Sequence, residues 1–280
     1  MMTRRFWGIF RERQHSPGRE SDDAEILRLT AKHLEAAGYQ VSLKTPDELG
    51  EADEPSPSLV FLMCERVAAL GFLEPLAARG IPHVNPPSAV LNTYRDRMIP
   101  LLDASGVPFP ESCIVSSEAF DPGHPCPVWV KRADVHNTQS GDVVFARSPA
   151  ELQEAVAALH RRGIPRIVLQ RHVPGDLIKF YGVGRPGGEH PQDLWFRWFY
   201  HREQELAGYP FAEEALWTVA QRAARAIGLE VYGGDAIVTP VGEVVLIDIN
   251  AWPSFALYRE EASEQIARWL FRRLAQGAVP

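Results

Sequence analysis

The sequence is poor in cysteine and has no Cys-x-x-Cys pair; its three thiols are Cys64, Cys113 and Cys126. That spacing excludes a zinc ribbon or a dithiol redox motif. An odd number of cysteines without a secretory leader fits a reducing cytoplasm, where this chain is expected to reside. No run of about 18 apolar residues occurs, so no membrane span is expected. The opening MMTRRFWGIFRERQ holds a short apolar stretch that ends in Arg11. It is too short for a secretory core and reads as a first strand. Positive charge is also in deficit. Lys and Arg number 29 against 36 Asp and Glu, a net −7. This excludes a broad basic footprint for duplex nucleic acid but leaves room for a local basic pocket.

Several catalytic signatures are missing. There is no Gly-Lys pair, hence no Walker A loop, and no HExxH, GxSxG or paired Cys/His zinc spacing. Gly182-Val183-Gly184-Arg185-Pro186-Gly187 matches GxGxxG in letters. A dinucleotide loop must open a helix, and the prolines here argue for a loop between strands.

What is present is an ordinary globular composition, 45% apolar and 23% charged. The first half alternates strand and helix patterns. Strands are expected at Arg5–Phe10, Val41–Leu43, Leu59–Cys64 and Ile81–Val84. Helices are expected after a cap at Asp22 and over Leu70–Ala78, with a further helix starting at Asn85-Pro86. Such alternation predicts a mostly parallel α/β sheet. The second half reads as strands at Pro127–Arg132, Asp142–Arg147, Arg166–Gln170, Ile178–Val183 and Leu194–Tyr200. A helix is expected after the Ser148 cap and another from Pro210 to Ile227. A hairpin, Glu230–Thr239 with Glu243–Asn250, precedes a last helix over Glu261–Ala275.

The hairpin carries the chemistry. Its second strand is an apolar run interrupted by Asp248, and an unpaired buried carboxylate costs several kcal/mol. Asn250 shares a face with Asp248. The turn near Val241 brings Asp235 opposite residue 247 or 248. Such an oxygen-rich spot suits Mg²⁺, with Mn²⁺ possible; an arginine-paired structural cluster is the alternative. Lys131 and Lys179 interrupt apolar strand patterns and need anionic partners. Arg197 lies between aromatics in LWFRWFY, which suits a guanidinium that holds a phosphate or carboxylate. Cations on several strands beside a metal site are what phosphoryl transfer requires.

In this order the residues resemble the ATP-grasp superfamily: Lys131, then Leu169-Gln170-Arg171-His172-Val173-Pro174-Gly175 leading to Lys179, then Gly233-Gly234-Asp235 and Asp248-Ile249-Asn250-Ala251-Trp252-Pro253. The resemblance covers about 85–275. It implies a pre-ATP-grasp parallel α/β domain over 1–90. An ATP-grasp fold of two α+β subdomains would fill 91–280, with a small lid over about 110–175 and a large subdomain over 176–280. By position, Lys131 and Lys179 would contact ATP, and Gln170, Arg171, His172 and Val173 would form the hinge that reads the adenine. Asp235, Asp248 and Asn250 would hold one or two Mg²⁺. Arg97 stands where the superfamily often has a lysine. The turn Asn137–Gly141, with Asp142 and Val143, would cover the phosphates, with His136 as a side-chain donor. That flap departs from the usual glycine-rich form, and Asp248 stands where glutamate is common.

The resemblance implies an enzyme. The first expectation is a carboxylate–amine or carboxylate–thiol ligase working through an acyl phosphate, with Lys179 and Arg197 catalytic and Arg197 on the acyl phosphate. The second is a kinase resembling the inositol trisphosphate kinases, with a basic pocket drawn from Arg11, Arg13, Arg132, His136, Arg185, His201 and Arg202. The third is a non-catalytic ATP-binding module. Candidate substrate contacts are Arg11, Arg13, Arg202 and Ser254. The expected partner is a small molecule or a peptide acceptor, with homo-oligomers possible and neither nucleic acid nor membrane involved.

Overall fold

The computed structural model describes residues 4–16, 18, 20–50, 56–121, 123–135, 138–187 and 194–276. Arg19, His136 and Asn137 fall outside them. The N-terminal strands β1 (Arg5–Ile9), β2 (Gln40–Lys44), β3 (Leu59–Leu62) and β4 (His83–Val84) pair in parallel in the order β2-β1-β3-β4. Every residue of β3 is fully buried, as expected of a parallel strand covered on both faces. Alternate residues choose opposite interiors. Phe6 and Phe61 pack with Ile26 and Leu34 of α1 (Glu20–Ala36), whereas Trp7, Val60 and Leu62 pack with Leu70 and Leu73 of α2 (Val67–Ala78).

Two helix starts differ from expectation. α1 begins at Glu20, so Asp22 sits inside its first turn beside Asp23, where both carboxylates complement the helix dipole. Helix α3 (Pro87–Leu91) begins after Pro86, and Asn85 does not cap it. The buried Asn85 amide instead donates to the Val231 carbonyl at 2.7 Å and accepts from the Glu230 and Val231 amides at 2.7 and 2.9 Å. One side chain thus ties the parallel sheet to the C-terminal part of the chain.

After α4 (Arg95–Ala104) come β5 (Ser112–Ser116), β6 (Val128–Arg132), β7 (Val143–Ala146), α5 (Pro149–Arg161) and β8 (Arg166–Arg171). These strands form an antiparallel sheet, β5-β8-β6-β7. Its apolar interior is its own: Val130, Ile167 and Leu169 pack against Leu152, Val156 and Leu159 of α5. The Ser148 hydroxyl accepts from the Glu151 amide at the α5 start, as its sequence predicts.

The third sheet, β10-β9-β11-β12, is antiparallel and built from β9 (Asp176–Val183), β10 (Trp195–Tyr200), β11 (Val231–Val238) and β12 (Val244–Ala251). Helix α6 (Glu213–Ile227) starts later than expected and stops at Gly228, whose φ of 91° closes it in a left-handed cap. Helix α7 (Arg259–Gln276) packs against α1. This sheet shares both of its interiors with the parallel sheet: Ile178 and Phe180 join the cluster of Val60, and Tyr181 and Trp252 join that of Phe61. Among the described residues no helix is long and apolar enough to cross a membrane.

Candidate active site

Three charged residues form a row across adjacent strands. Asp235 of β11 is in register with Lys179 of β9 on one side and with Asp248 of β12 on the other. Cross-strand partners project on the same face, and Lys179 Nζ donates to Asp235 Oδ1 at 2.7 Å. The register slips between Asp235 and Ala236, so that Ala236 pairs with Leu246 and Ile247 is the extra residue. This bulge lets Ile247 and Asp248, neighbours in sequence, line the same cavity. Gly233 and Gly234 keep the surroundings of the row open. A Cβ on Gly234 would sit 2.4 Å from the Asp248 carbonyl oxygen, and one on Gly233 would sit 2.7 Å from Pro253.

Two further cations converge from outside the sheet. Arg95, at the first residue of α4, is buried; its Nη2 donates to Asp248 Oδ2 at 3.1 Å, and its Nη1 to the Arg132 and Val135 carbonyls at 3.1 Å each. Lys131 of β6 is also buried. Burial lowers its ammonium to about 8, with Asp248 and Asp235 opposing that effect and Arg95 adding to it. At pH 7 three cationic side chains therefore meet two carboxylates, and the excess positive charge suits a polyanion.

The row separates two cavities. The first, of about 220 Å³, is lined by Trp129, Val143, Leu177, Ile237 and Ile247, with Lys131 and the 170–173 segment at its edge. The second, of about 370 Å³, is lined by Arg11, His15, Ser16, Asp23, Tyr181, Asn250, Pro253 and Ser254. Arg95, Asp235 and Asp248 line both. The residues Gln170, Arg171, His172 and Val173 all reach the apolar cavity. The His172 ring lies against Phe145 at 4.9 Å between centroids and accepts from Trp129 Nε1 at 3.3 Å, and burial lowers its pKa.

The turn before β7, expected to cover the phosphates, is held by a carboxylate. Fully buried Asp142 accepts from the Thr138 and Gln139 amides at 2.6 and 3.1 Å and from Arg162. Burial opposes its ionisation, but these donors win and hold the carboxyl down at about 2.

Other expected residues lie elsewhere. Arg197 is half exposed on β10, stacked over Trp195 at 5.5 Å and paired with Glu261 of α7; it lines neither cavity. The aromatics that flank it supply a stacking surface, and a helix far along the chain supplies its anion. Arg97 faces solvent, two residues around α4 from Arg95, which takes the inward position instead. Arg13 lines a third, outer cavity, and Arg202 is exposed and lines none of these three. Arg132 is committed to Asp134, and Arg185 to Glu230. The expected flap donor His136 lies outside the described residues. Arg95, His15 and Asp23 of the second cavity were not singled out from the sequence. Arg11 and Ser254 do line it, with Arg11 bound to Glu65 at 2.7 Å and to the Trp252 carbonyl at 2.7 Å.

No protein-family model matches the sequence, and no curated protein matches it either. Solved structures do match in shape. A D-alanine–D-alanine ligase from Coxiella burnetii superposes with a TM-score of 0.75 at 17% identity, over 99% of this chain and 95% of that one. A RimK-domain ATP-grasp protein from Sphaerobacter thermophilus gives 0.68 at 18%, over 95% and 99%. A D-alanine–D-alanine ligase from Bacillus anthracis, solved in complex with ATP, gives 0.70 at 14%, over 99% of both chains. Together with the three sheets and their order, these superpositions identify the fold of this chain as that of the ATP-grasp ligases.

Proposed function

We propose that the chain is an ATP-dependent ligase that activates a carboxylate as an acyl phosphate and joins it to an amine. The observation that carries this reading is the row Lys179, Asp235 and Asp248 at the junction of an apolar cleft and a charged cavity. The cleft suits a purine: its walls are aromatic and aliphatic, and residues 170–173 line it. Lys131, Lys179 and Arg95 would then hold the triphosphate where the two cavities meet. One of the structures of this shape was solved with ATP bound.

The oxygens of Asp235, Asp248 and Asn250 fit a hard divalent cation. Among the described residues no group of three or more His, Cys, Asp or Glu could hold an ion by itself. Two carboxylates and a carboxamide, completed by waters and substrate phosphates, are a donor set that Mg²⁺ or Mn²⁺ takes. Bound there, the ion would neutralise charge on the phosphoryl group in transfer.

The charged cavity favours a ligase over a polyphosphate kinase. Its wall carries Asp23, Asp235 and Asp248, and the arginines that would make it densely basic, Arg132, Arg185 and Arg202, are committed elsewhere or lie off the site. The test is ADP release from ATP and Mg²⁺ across a panel of amino acids and small carboxylates, with mass detection of products. ADP release that tracks a carboxylate and yields an amide is expected. Release that tracks a polyol and yields a stable phosphoester overturns the ligase reading.

A further inference from the structure

His15 is an ionisable group at the candidate site to which the roles above assign no work. It ends a single 3-10 turn, Arg13–His15, in the segment that follows β1, and it lines the charged cavity together with Lys179 and Asp235. Its Nδ1 is 3.3 Å from Oε2 of Glu65 and 4.0 Å from Oε2 of Glu12. Both carboxylates are buried, at 1% and 5% exposure. Glu12 spends its oxygens on the amides of Glu65 and Arg66 at 3.0 and 3.1 Å, and Glu65 Oε1 takes Arg11. Glu65 Oε2 is the carboxylate oxygen nearer the imidazole. A carboxylate there fixes the proton on Nδ1 and leaves the lone pair on Nε2. Among the described residues none hydrogen-bonds Nε2. The other bases of the cavity are occupied: Asp23 holds Ser16 and lies 3.4 Å from Arg11, Asp235 holds Lys179, and Asp248 holds Arg95.

We infer that His15 accepts the proton of the attacking amine, with Glu65 as its positioning residue. The inference rests on the ligase reading. In this step the amine nitrogen forms a bond to the acyl carbon, and the carbon–oxygen bond to phosphate breaks. The phosphate leaves with that electron pair, and the surplus proton on nitrogen passes to His15 Nε2.

Hydroxylamine separates the two halves of the reaction, since it attacks acyl phosphates without a general base. Wild-type protein with ATP, Mg²⁺ and a panel of amino acids and small carboxylates is assayed twice, with hydroxylamine and with an amine panel. His15→Gln is expected to lower the ratio of amide to hydroxamate formation at least about 10²-fold. Glu65→Gln is expected to lower the same ratio about tenfold, and added imidazole raises the ratio for His15→Ala. A misfolded variant loses both rates together, so thermal melting is recorded beside them. If His15→Gln lowers both rates equally, or neither, the assignment is wrong. It is also wrong if the wild type forms hydroxamates but no amide with any amine. If the wild type forms no hydroxamate with any carboxylate, the ligase reading itself fails.

Discussion

The two cavities share a wall yet differ in kind. The smaller is apolar and bounded by Trp129, Leu177, Ile237 and Ile247, whereas the larger is lined by ion pairs and hydroxyls. Apolar walls bind by area removed from water and tolerate modest change, and fixed charges act on a particular ligand charge and do not. Substitutions on the shared wall should therefore hit turnover hardest, and those on the apolar side should act through affinity.

The largest effect is expected at Asp248. Asp248→Asn should lower kcat for ADP release about 10³-fold, and Lys179→Met about 10²-fold, the scale of lost electrostatic stabilisation. A change below threefold in either would break the contrast, because the charged wall would then be dispensable.

Lys131 should split activity from stability. Burial brings its ammonium from 10.5 to about 8, a difference of about 3 kcal/mol against free lysine. Below pH 8 both folded and unfolded chains carry the proton, and the folded state bears the full cost. Between pH 8 and 10.5 the unfolded chain keeps a proton that the folded chain has released, so this group's contribution to stability rises with pH. Lys131→Met is expected to raise the unliganded melting temperature at pH 7 and to gain less at pH 10, while KM for ATP rises about tenfold. Melting curves at the two pH values, with ATP titrations, check both halves.

On the apolar side, Ile237→Ala should raise KM for ATP about fivefold with kcat nearly unchanged, as befits lost area alone. Smallest of all, Arg197→Ala and Arg97→Ala should stay within about twofold of wild type in both constants, since neither lines the two cavities and the exposed Arg197–Glu261 pair contributes little. A large loss at Arg197 would return it to the site.

The C-terminal hairpin was legible because an aspartate in an apolar strand demands a partner, and turn arithmetic brings Asp235 opposite residue 247 or 248. The slip that turns Ile247 into the cavity was not, because a bulge leaves no mark in the alternation of this strand. For Arg95 and Arg97 the sequence offers two arginines on different faces of one helix, and only the docking of α4 decides between them. The place of His15 beside Glu65 leaves no mark in the sequence, because the carboxylate comes from a residue 50 positions on. The aromatic neighbours of Arg197 are visible in sequence, whereas its ion pair with Glu261, 64 positions on, is not.

Arg95 grips two bodies at once. It holds the backbone of the sheet that carries its own interior, at Arg132 and Val135, and the carboxylate of Asp248 in the sheet beyond. Like a shared rivet, it couples their freedoms: the β6 end cannot tilt away without stretching the bond to Asp248, and Asp248 cannot turn to another cation without loosening that end.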